Sequence, residues 1–335
     1  MITSLPSLTI GIPTYRRCAT VARRVSELLS VGLPSGVDVL VLDNASPDRT
    51  FDVLSERCAG TLVRVLRNDR NIGFAGSFLR LFQEASGEYL LVSSDEDRVL
   101  TDALPALLDF CAAKSPSLVS PQVFMERGKG PMLYRGRDAT GRIPPKAFLE
   151  CAGYVSGMTF HVARCAEVVK MLDAVRTTND AAHLYPQDLL AAGLIGRGDC
   201  YWLDRPLTAA TDPRVQLPSH ASDLGGVPYS HLSSRWAQFL GREAFLRELT
   251  SRASSAAARS ALDEMRDTLA LGLYQALRTG VEEERADLVN HLDAGARRHL
   301  LHRNPLLRRA LFAAGDPREA AAKLRRRVKR RFRGP

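Results

Sequence analysis

At 335 residues, with 45% apolar and 25% charged content, the chain is long enough for one large α/β core plus an appended helical region, and too apolar to be disordered. Its six cysteines, Cys18, Cys58, Cys111, Cys151, Cys165 and Cys200, are scattered without a C-x-x-C pair, which argues against a zinc ribbon or a disulfide framework and fits a reducing cytoplasm. The formal charge of +9 is concentrated in residues 318–335, which hold nine Lys/Arg and one Glu; a basic tail on a nearly neutral body argues against a duplex-binding surface and for a local contact with something acidic.

No basic-then-apolar leader precedes the first apolar run, and no stretch approaches the roughly 18–20 apolar residues of a membrane span. A soluble cytoplasmic protein is expected, or one peripheral at the inner membrane face. In chain order, Leu8–Ile12, Val37–Leu42, Leu62–Leu66 and Glu88–Ser93 read as strands, separated by helical patterns over Ala19–Ser30, Asp48–Cys58 and Phe74–Ala85. Continuous apolar strands alternating with such helices predict an α/β fold with a mostly parallel sheet covered on both faces. Residues 121–160 lose periodicity and read as long loops with one or two irregular strands. A helix is expected at Val162–Val175, a second after Pro186, and a strand at Asp199–Asp204. From about His231 the sequence is almost all helix-forming, with Gly280, Pro305 and Pro317 as breaks.

Parallel sheets take ligands at the carboxyl ends of their strands, and the polar residues of this half fall there. Asp95-Glu96-Asp97 follows a strand of the buried type. Carboxylates packed so closely repel unless a cation sits among them, so the turn is either a site for Mg²⁺ or Mn²⁺ shared with substrate phosphates or a solvated acidic turn. Asp43 ends the second strand, where it would meet a nucleobase imide or ribose hydroxyl, or merely brace the turn that Ser46 or Asp48 caps. Asn71-Ile72-Gly73-Phe74-Ala75-Gly76 sets small residues at a strand-to-helix junction, suited either to a ligand or to a tight turn with close packing. Trp202 and Trp236 read as core rather than sugar-stacking residues.

Four segments, Gly11-Ile12-Pro13-Thr14-Tyr15, Val41 to Ser46, Asn68 to Phe74 and Tyr89 to Asp97, together resemble the GT-A glycosyltransferases of family 2, in order and at similar spacing. The resemblance implies a GT-A (Rossmann-like) fold and inverting sugar transfer from a nucleoside-diphosphate sugar. Pro13, Thr14, Tyr15 and Asp43 would then hold the nucleoside, with Asn71 and Gly73 beside the donor. Asp95 and Asp97 would serve the metal and ribose side, with Glu96 enlarging the middle of the family's Asp-x-Asp. The family's general base, usually the Asp of a Glu-Asp pair at a helix start, matches Asp188 in Tyr185-Pro186-Gln187-Asp188, with Gln187 in place of Glu; without a substrate, an acid there also stabilises the helix dipole. Tyr154-Val155-Ser156-Gly157-Met158 is similar to the family's acceptor-loop segment. The fuller pattern is similar to abequosyltransferase-like enzymes that add deoxysugars to bacterial surface polysaccharides.

His220 is a candidate third metal ligand and Arg214 a candidate phosphate partner, against incidental loop placement for both. The tail places Leu324, Val328 and Phe332 four residues apart among Arg and Lys, as in a helix on anionic lipid, or forms a solvated tail. The expected organisation is a catalytic GT-A domain at 1–225, a helical region at 226–317 that dimerises, covers the acceptor site or touches membrane, and a basic tail at 318–335. The expected reaction consumes a UDP- or dTDP-type sugar with Mg²⁺ or Mn²⁺ and a saccharide, lipid-linked or small-molecule acceptor, without nucleic acid. A nucleotidyltransferase and a catalytically silent nucleotide-sugar-binding protein are the alternatives.

Overall fold

A computed structural model describes residues 5–127, 130–211, 223–224, 227–228 and 232–279. In chain order the elements are β1 (Leu8–Thr14), α1 (Cys18–Val31), β2 (Val37–Asp43), α2 (Thr50–Cys58), β3 (Val63–Arg67), α3 (Gly73–Glu84), β4 (Tyr89–Val92), β5 (Arg98–Val99), α4 (Leu104–Lys114) and β6 (Leu118–Arg127). They continue with β7 (Gly130–Arg135), β8 (Gly141–Arg142), α5 (Phe148–Cys151), β9 (Thr159–His161), α6 (Val162–Val175), α7 (Asp180–Leu184), α8 (Pro186–Ile195) and β10 (Cys200–Ala210). A two-residue hairpin pair, β11 (Asp223–Leu224) and β12 (Val227–Pro228), and two helices, α9 (Leu232–Arg252) and α10 (Ala256–Thr279), follow.

The main sheet runs β3-β2-β1-β4-β9-β6-β10-β5, with β7 beside β6 and β8 beside β10. Strands β3, β2, β1 and β4 are parallel, as are β6 and β10; β9 runs antiparallel between β4 and β6. This is the mostly parallel α/β sheet expected. Successive residues Val39, Leu40, Val41 and Leu42 are all fully buried, so both faces of β2 are covered, which is why that strand is apolar without alternation. Helix α1 buries Val21, Ala22, Val25 and Leu28, one face at helical spacing. At Gly11, an added Cβ would lie 2.8 Å from Leu90 Cδ1 and 3.2 Å from Leu81 Cδ1, so the lack of a side chain lets α3 approach β1.

Two expectations are corrected. The 121–160 stretch is more regular than expected, holding most of β6 and β9 and all of β7 and β8. The strand expected at Asp199–Asp204 runs instead to Ala210. Its ladder with β6 shifts register between Leu203 and Pro206 and again before Thr208. Those bulges absorb Pro206, whose missing N–H cannot join a regular ladder.

The chain divides into two compact units, one of residues 1–221 with 244–265 and one of 222–243 with 266–335. In the second, the Glu243 carboxylate accepts from Arg266 Nη2 at 2.8 Å, and Trp236 stacks on Phe239 with ring centroids 5.8 Å apart. No helix among the described residues is long and apolar enough to cross a membrane.

Candidate functional site

The parallel strands β1, β2, β3, β4, β6 and β10 all point their carboxyl ends to one edge, and the site is built there. Thr14, the last residue of β1, pairs in register with Asp43, the last of β2. The Thr14 hydroxyl donates to Asp95 Oδ2 at 2.7 Å, tying the first strand end to the turn after β4. All three acids of that turn are buried: Asp95 is 5%, Glu96 4% and Asp97 2% exposed. A solvated acidic turn is therefore not what the chain forms.

Each acid has a different set of partners. Arg17 Nη1 donates to Asp95 Oδ1 at 3.0 Å and also pairs with the Glu96 carboxylate. The Glu96 carbonyl accepts from Arg24 Nε at 2.8 Å and from the Thr211 hydroxyl at 2.7 Å. Asp97 accepts the Thr211 backbone N–H at 2.9 Å on Oδ1 and the Tyr154 hydroxyl at 2.8 Å on Oδ2. Burial pushes the Asp95 carboxyl above the ordinary range; Arg17 and Thr14 pull it back in part, and the Asp97 charge pushes it up again. Burial likewise raises Asp97 against the opposing pull of Thr211, Tyr154 and Ser156. The turn holds more negative charge than its setting favours, and an added cation would relieve it.

Asp43 is fully buried. Its Oδ2 accepts from the Ser46 N–H at 3.1 Å and lies 3.4 Å from Arg67 Nε, so the carboxylate braces its own turn. Arg67 in turn lies over the Phe51 ring at 5.3 Å and donates to the Ser46 carbonyl. Arg49, the N-cap position of α2, makes no side-chain cap; just ahead of it Asp48 Oδ1 accepts from the Thr50 N–H at 3.1 Å. Arg16 and Ala45 both take left-handed backbone, at φ 56° and 57°, and the Arg16 N–H donates to Ser46 Oγ at 2.9 Å. Two non-glycine residues in that region, on adjacent loops, are backbone strain gathered at the same edge.

The third loop is held by amides. Asn44 Oδ1 accepts from Asn68 Nδ2 at 2.8 Å and from the Ile72 N–H at 3.0 Å, while Asn44 Nδ2 donates to Asn71 Oδ1 at 2.8 Å. Asn71 Oδ1 also accepts the Gly73 N–H at 2.9 Å. Gly73 needs its φ of 75° to open α3, and the space beside it is bounded by His183 Cε1, 3.7 Å from where a Cβ would stand. Pro13 and Tyr15 flank Thr14 and are partly exposed.

Asp188 lies in the first turn of α8, after Pro186, and is 4% exposed. Helix α8 is buried all round, which places its first turn inside the protein rather than on a solvated rim. Asp188 is close enough to Cys151 for its charge to help raise that thiol, after burial and Cys200. Three residues beyond Cys151, Tyr154 reaches Asp97. The Gln187 Oε1 atom is buried without a hydrogen-bond partner among the described residues.

The structure thus gathers Thr14, Asp43, Asp95, Glu96 and Asp97, with Pro13 and Tyr15 beside them and Asn71 and Gly73 on the neighbouring loop. Sequence reasoning missed Arg17, Arg24, Thr211 and His183; the only signal for Arg17 was the basic pair Arg16-Arg17 after Pro13-Thr14-Tyr15. Arg214, His220, His231 and the 318–335 tail lie outside the described residues. Among the described residues, no group of three His, Cys, Asp or Glu side chains is arranged to hold a metal.

Residues 9–160 match the model of glycosyl transferase family 2. Over 102 residues the chain is 26% identical to a dolichol-phosphate mannosyltransferase of Pyrococcus furiosus, covering 30% of this chain and 29% of that protein. It therefore spans well under half of that curated relative. Among solved structures it is similar to S. aureus TarS (residues 1–349) in complex with UDP-GlcNAc, at TM-score 0.57 and 15% identity over 98% of this chain and 91% of that one. It is also similar to the mannosyltransferase PcManGT of Pyrobaculum calidifontis in complex with GDP-Man and Mn²⁺, at TM-score 0.51 and 15% identity over 90% of this chain and 80% of that one. The chain thus has the GT-A, Rossmann-like fold of these glycosyltransferases, with the glycosyl transferase family 2 match spanning β1 to β9.

Proposed function

We propose that the chain is an inverting glycosyltransferase moving a sugar from a UDP- or dTDP-type donor to an acceptor hydroxyl in bacterial glycan or glycoconjugate biosynthesis. The observation that carries this reading is the convergence of Thr14, Asp43, Asp95 and Asp97 at one sheet edge, joined directly by the Thr14 to Asp95 hydrogen bond. Pro13, Thr14, Tyr15 and Asp43 line the nucleoside side, and Asn71 and Gly73 place the start of α3 towards the donor. Relatives in complex with UDP-GlcNAc and with GDP-Man and Mn²⁺ support a nucleotide-sugar donor.

The acidic turn suits Mg²⁺ or Mn²⁺ by its donor chemistry. Asp95 and Asp97 are hard oxygen donors, each carboxylate oxygen keeps a lone pair beyond the hydrogen bonds above, and burial raises both carboxyls. One or two protein carboxylates are what Mg²⁺ uses when diphosphate oxygens and water complete its shell. Bound there, the ion would supply charge stabilisation to the departing diphosphate. Asp95 and Asp97 would hold it, with Glu96 behind them.

Asp188 is the proposed base. It takes the acceptor proton as the acceptor oxygen bonds to the anomeric carbon, and the breaking bond leaves its electron pair on the nucleoside diphosphate. The proposed catalytic domain ends near residue 225, and the helical region and basic tail serve dimerisation, acceptor covering or an anionic membrane surface. The test is a thermal-stabilisation screen of nucleotide sugars with Mn²⁺, deoxysugar donors included, followed by product analysis. Released nucleoside diphosphate with an inverted glycoside is expected. Pyrophosphate release would assign a nucleotidyltransferase, and binding without turnover on any acceptor would assign a silent binding protein.

A further inference from the structure

Arg17 has the geometry of an internal cation. It stands just before α1, two residues after the Pro13–Tyr15 turn, and its side chain is only 12% exposed. Its Nη1 reaches both Asp95, at 3.0 Å, and Glu96. Neither side of this contact is loose. The Glu96 carbonyl is clamped by Arg24 and Thr211, Asp95 is fixed by Thr14, and the backbone delivering Arg17 is held where Arg16 donates to Ser46.

The geometry points to Arg17 as a competitor for the divalent ion at Asp95, released by the diphosphate, so that metal and nucleotide bind cooperatively. This rests on the metal-dependent reading above. A divalent ion binds a carboxylate oxygen at about 2.1 Å. On Asp95 Oδ1 it would share that oxygen with a guanidinium nitrogen already 3.0 Å away, and like charges that close in a water-poor turn repel strongly. Alone, the metal must displace Arg17 and leave the guanidinium without its acids. When a nucleoside diphosphate arrives with the metal, its oxygens offer the planar fork of Arg17 a bidentate, charge-assisted partner in exchange. The two ligands then help each other, and Arg17 adds to the coupling that diphosphate oxygens on the ion supply by themselves.

The test is a Mn²⁺ titration of the full chain, followed by the electron paramagnetic resonance of the free ion, with and without UDP. Without UDP, Arg17→Gln should bind Mn²⁺ at least tenfold more tightly than wild type. With UDP, wild type should gain at least tenfold more than the variant, which keeps only the gain from diphosphate oxygens on the ion. Arg17→Lys keeps a charge on a shorter side chain without the planar fork, so its nucleotide-free affinity should fall between the two. Should Arg17→Gln fail to fold, the comparison of Arg17→Lys with wild type decides. Nucleotide-free affinities no tighter than wild type in the folded variants overturn the inference, as does loss of metal uptake on removing Arg17. Failure of the metal-dependent reading looks different, because wild type would then take up no Mn²⁺ with or without UDP. That outcome, repeated in the variants, sinks both.

Discussion

The Tyr154 hydroxyl donates to Asp97 Oδ2 at 2.8 Å, fastening the segment ahead of β9 to the acidic turn that follows β4. The same segment is sewn on twice more: the Ser94 N–H donates to Ser156 Oγ at 3.1 Å and the Gly157 N–H to the Val92 carbonyl at 2.8 Å. A stretch without periodicity in sequence is thus one wall of the site, held by hydrogen bonds rather than by an apolar face.

Removing that hydroxyl should cost stability in a pH-dependent way. A hydrogen bond to a charged group contributes about 1.5–3 kcal/mol, so Tyr154→Phe should destabilise the fold by roughly that much at pH 8, read by urea denaturation. The Asp97 carboxyl is raised by burial, and losing a donor raises it further. The loss should shrink as Asp97 is protonated towards acid pH. A cost independent of pH would mean that the bond contributes little to the ionised state.

Asp97→Asn tests the same charge from the other side. Because the folded Asp97 carboxyl is raised, the folded state holds the proton more tightly than the unfolded one. Its contribution to stability is full below the unfolded value and is lost as pH rises through the folded one. The amide keeps the shape and still accepts the Thr211 N–H, but carries no charge to desolvate. In chelator, Asp97→Asn should therefore be more stable than wild type at neutral pH, by about 2–4 °C in midpoint for each kcal/mol relieved, while nucleotide binding loses its Mn²⁺ dependence. A lower midpoint with a flatter affinity would show that the charge is compensated by a group other than a metal.

Much of this was legible because the driving patterns are local. The helix at Val162–Val175 was expected at the bounds it has, since its buried Cys165, Val168, Val169 and Leu172 recur at helical spacing. The acidic turn and Asp43 were found because apolar strands stop abruptly at polar residues. Strand β6 was hidden by Pro121, which breaks the pattern a central strand normally shows. Pro121 is tolerated opposite Leu203, where the partner strand bulges towards Pro206, and that compensation lies some eighty positions away. Arg17 was illegible for the same reason: an arginine just ahead of a helix says nothing of acids brought in by another strand.

Close packing of α3 on the sheet can be tested at Gly11. A methyl there would meet Leu90 Cδ1 at 2.8 Å and two Leu81 methyls at 3.2 and 3.3 Å. Overpacking of this kind costs about 1–3 kcal/mol, so Gly11→Ala should lower stability by that amount in chemical denaturation. Gly141→Ala, where nothing lies within 4 Å, should change it by less than about 0.5 kcal/mol. Equal effects at both sites would show that α3 shifts to accommodate the methyl.

Asp188→Asn should leave donor binding near wild type and cut turnover by roughly 10²- to 10⁴-fold, the usual contribution of a positioned general base. The substitution keeps size and helix-start geometry, and α8 keeps Pro186 to open its first turn. Its neighbour Gln187 cannot take a proton in its place. Gln187 Oε1 is nevertheless a buried acceptor with no hydrogen-bond partner among the described residues, and such groups are rare unless a ligand or water completes them. An acceptor hydroxyl is one ligand that would complete it. Gln187→Met should accordingly raise the acceptor KM by about tenfold, the worth of one hydrogen bond near 1.4 kcal/mol, with kcat changed far less than in Asp188→Asn. The two variants therefore separate proton transfer from positioning by which kinetic constant moves. Near wild-type kcat in Asp188→Asn would place the base elsewhere; loss of donor affinity would make Asp188 a structural support of the donor side.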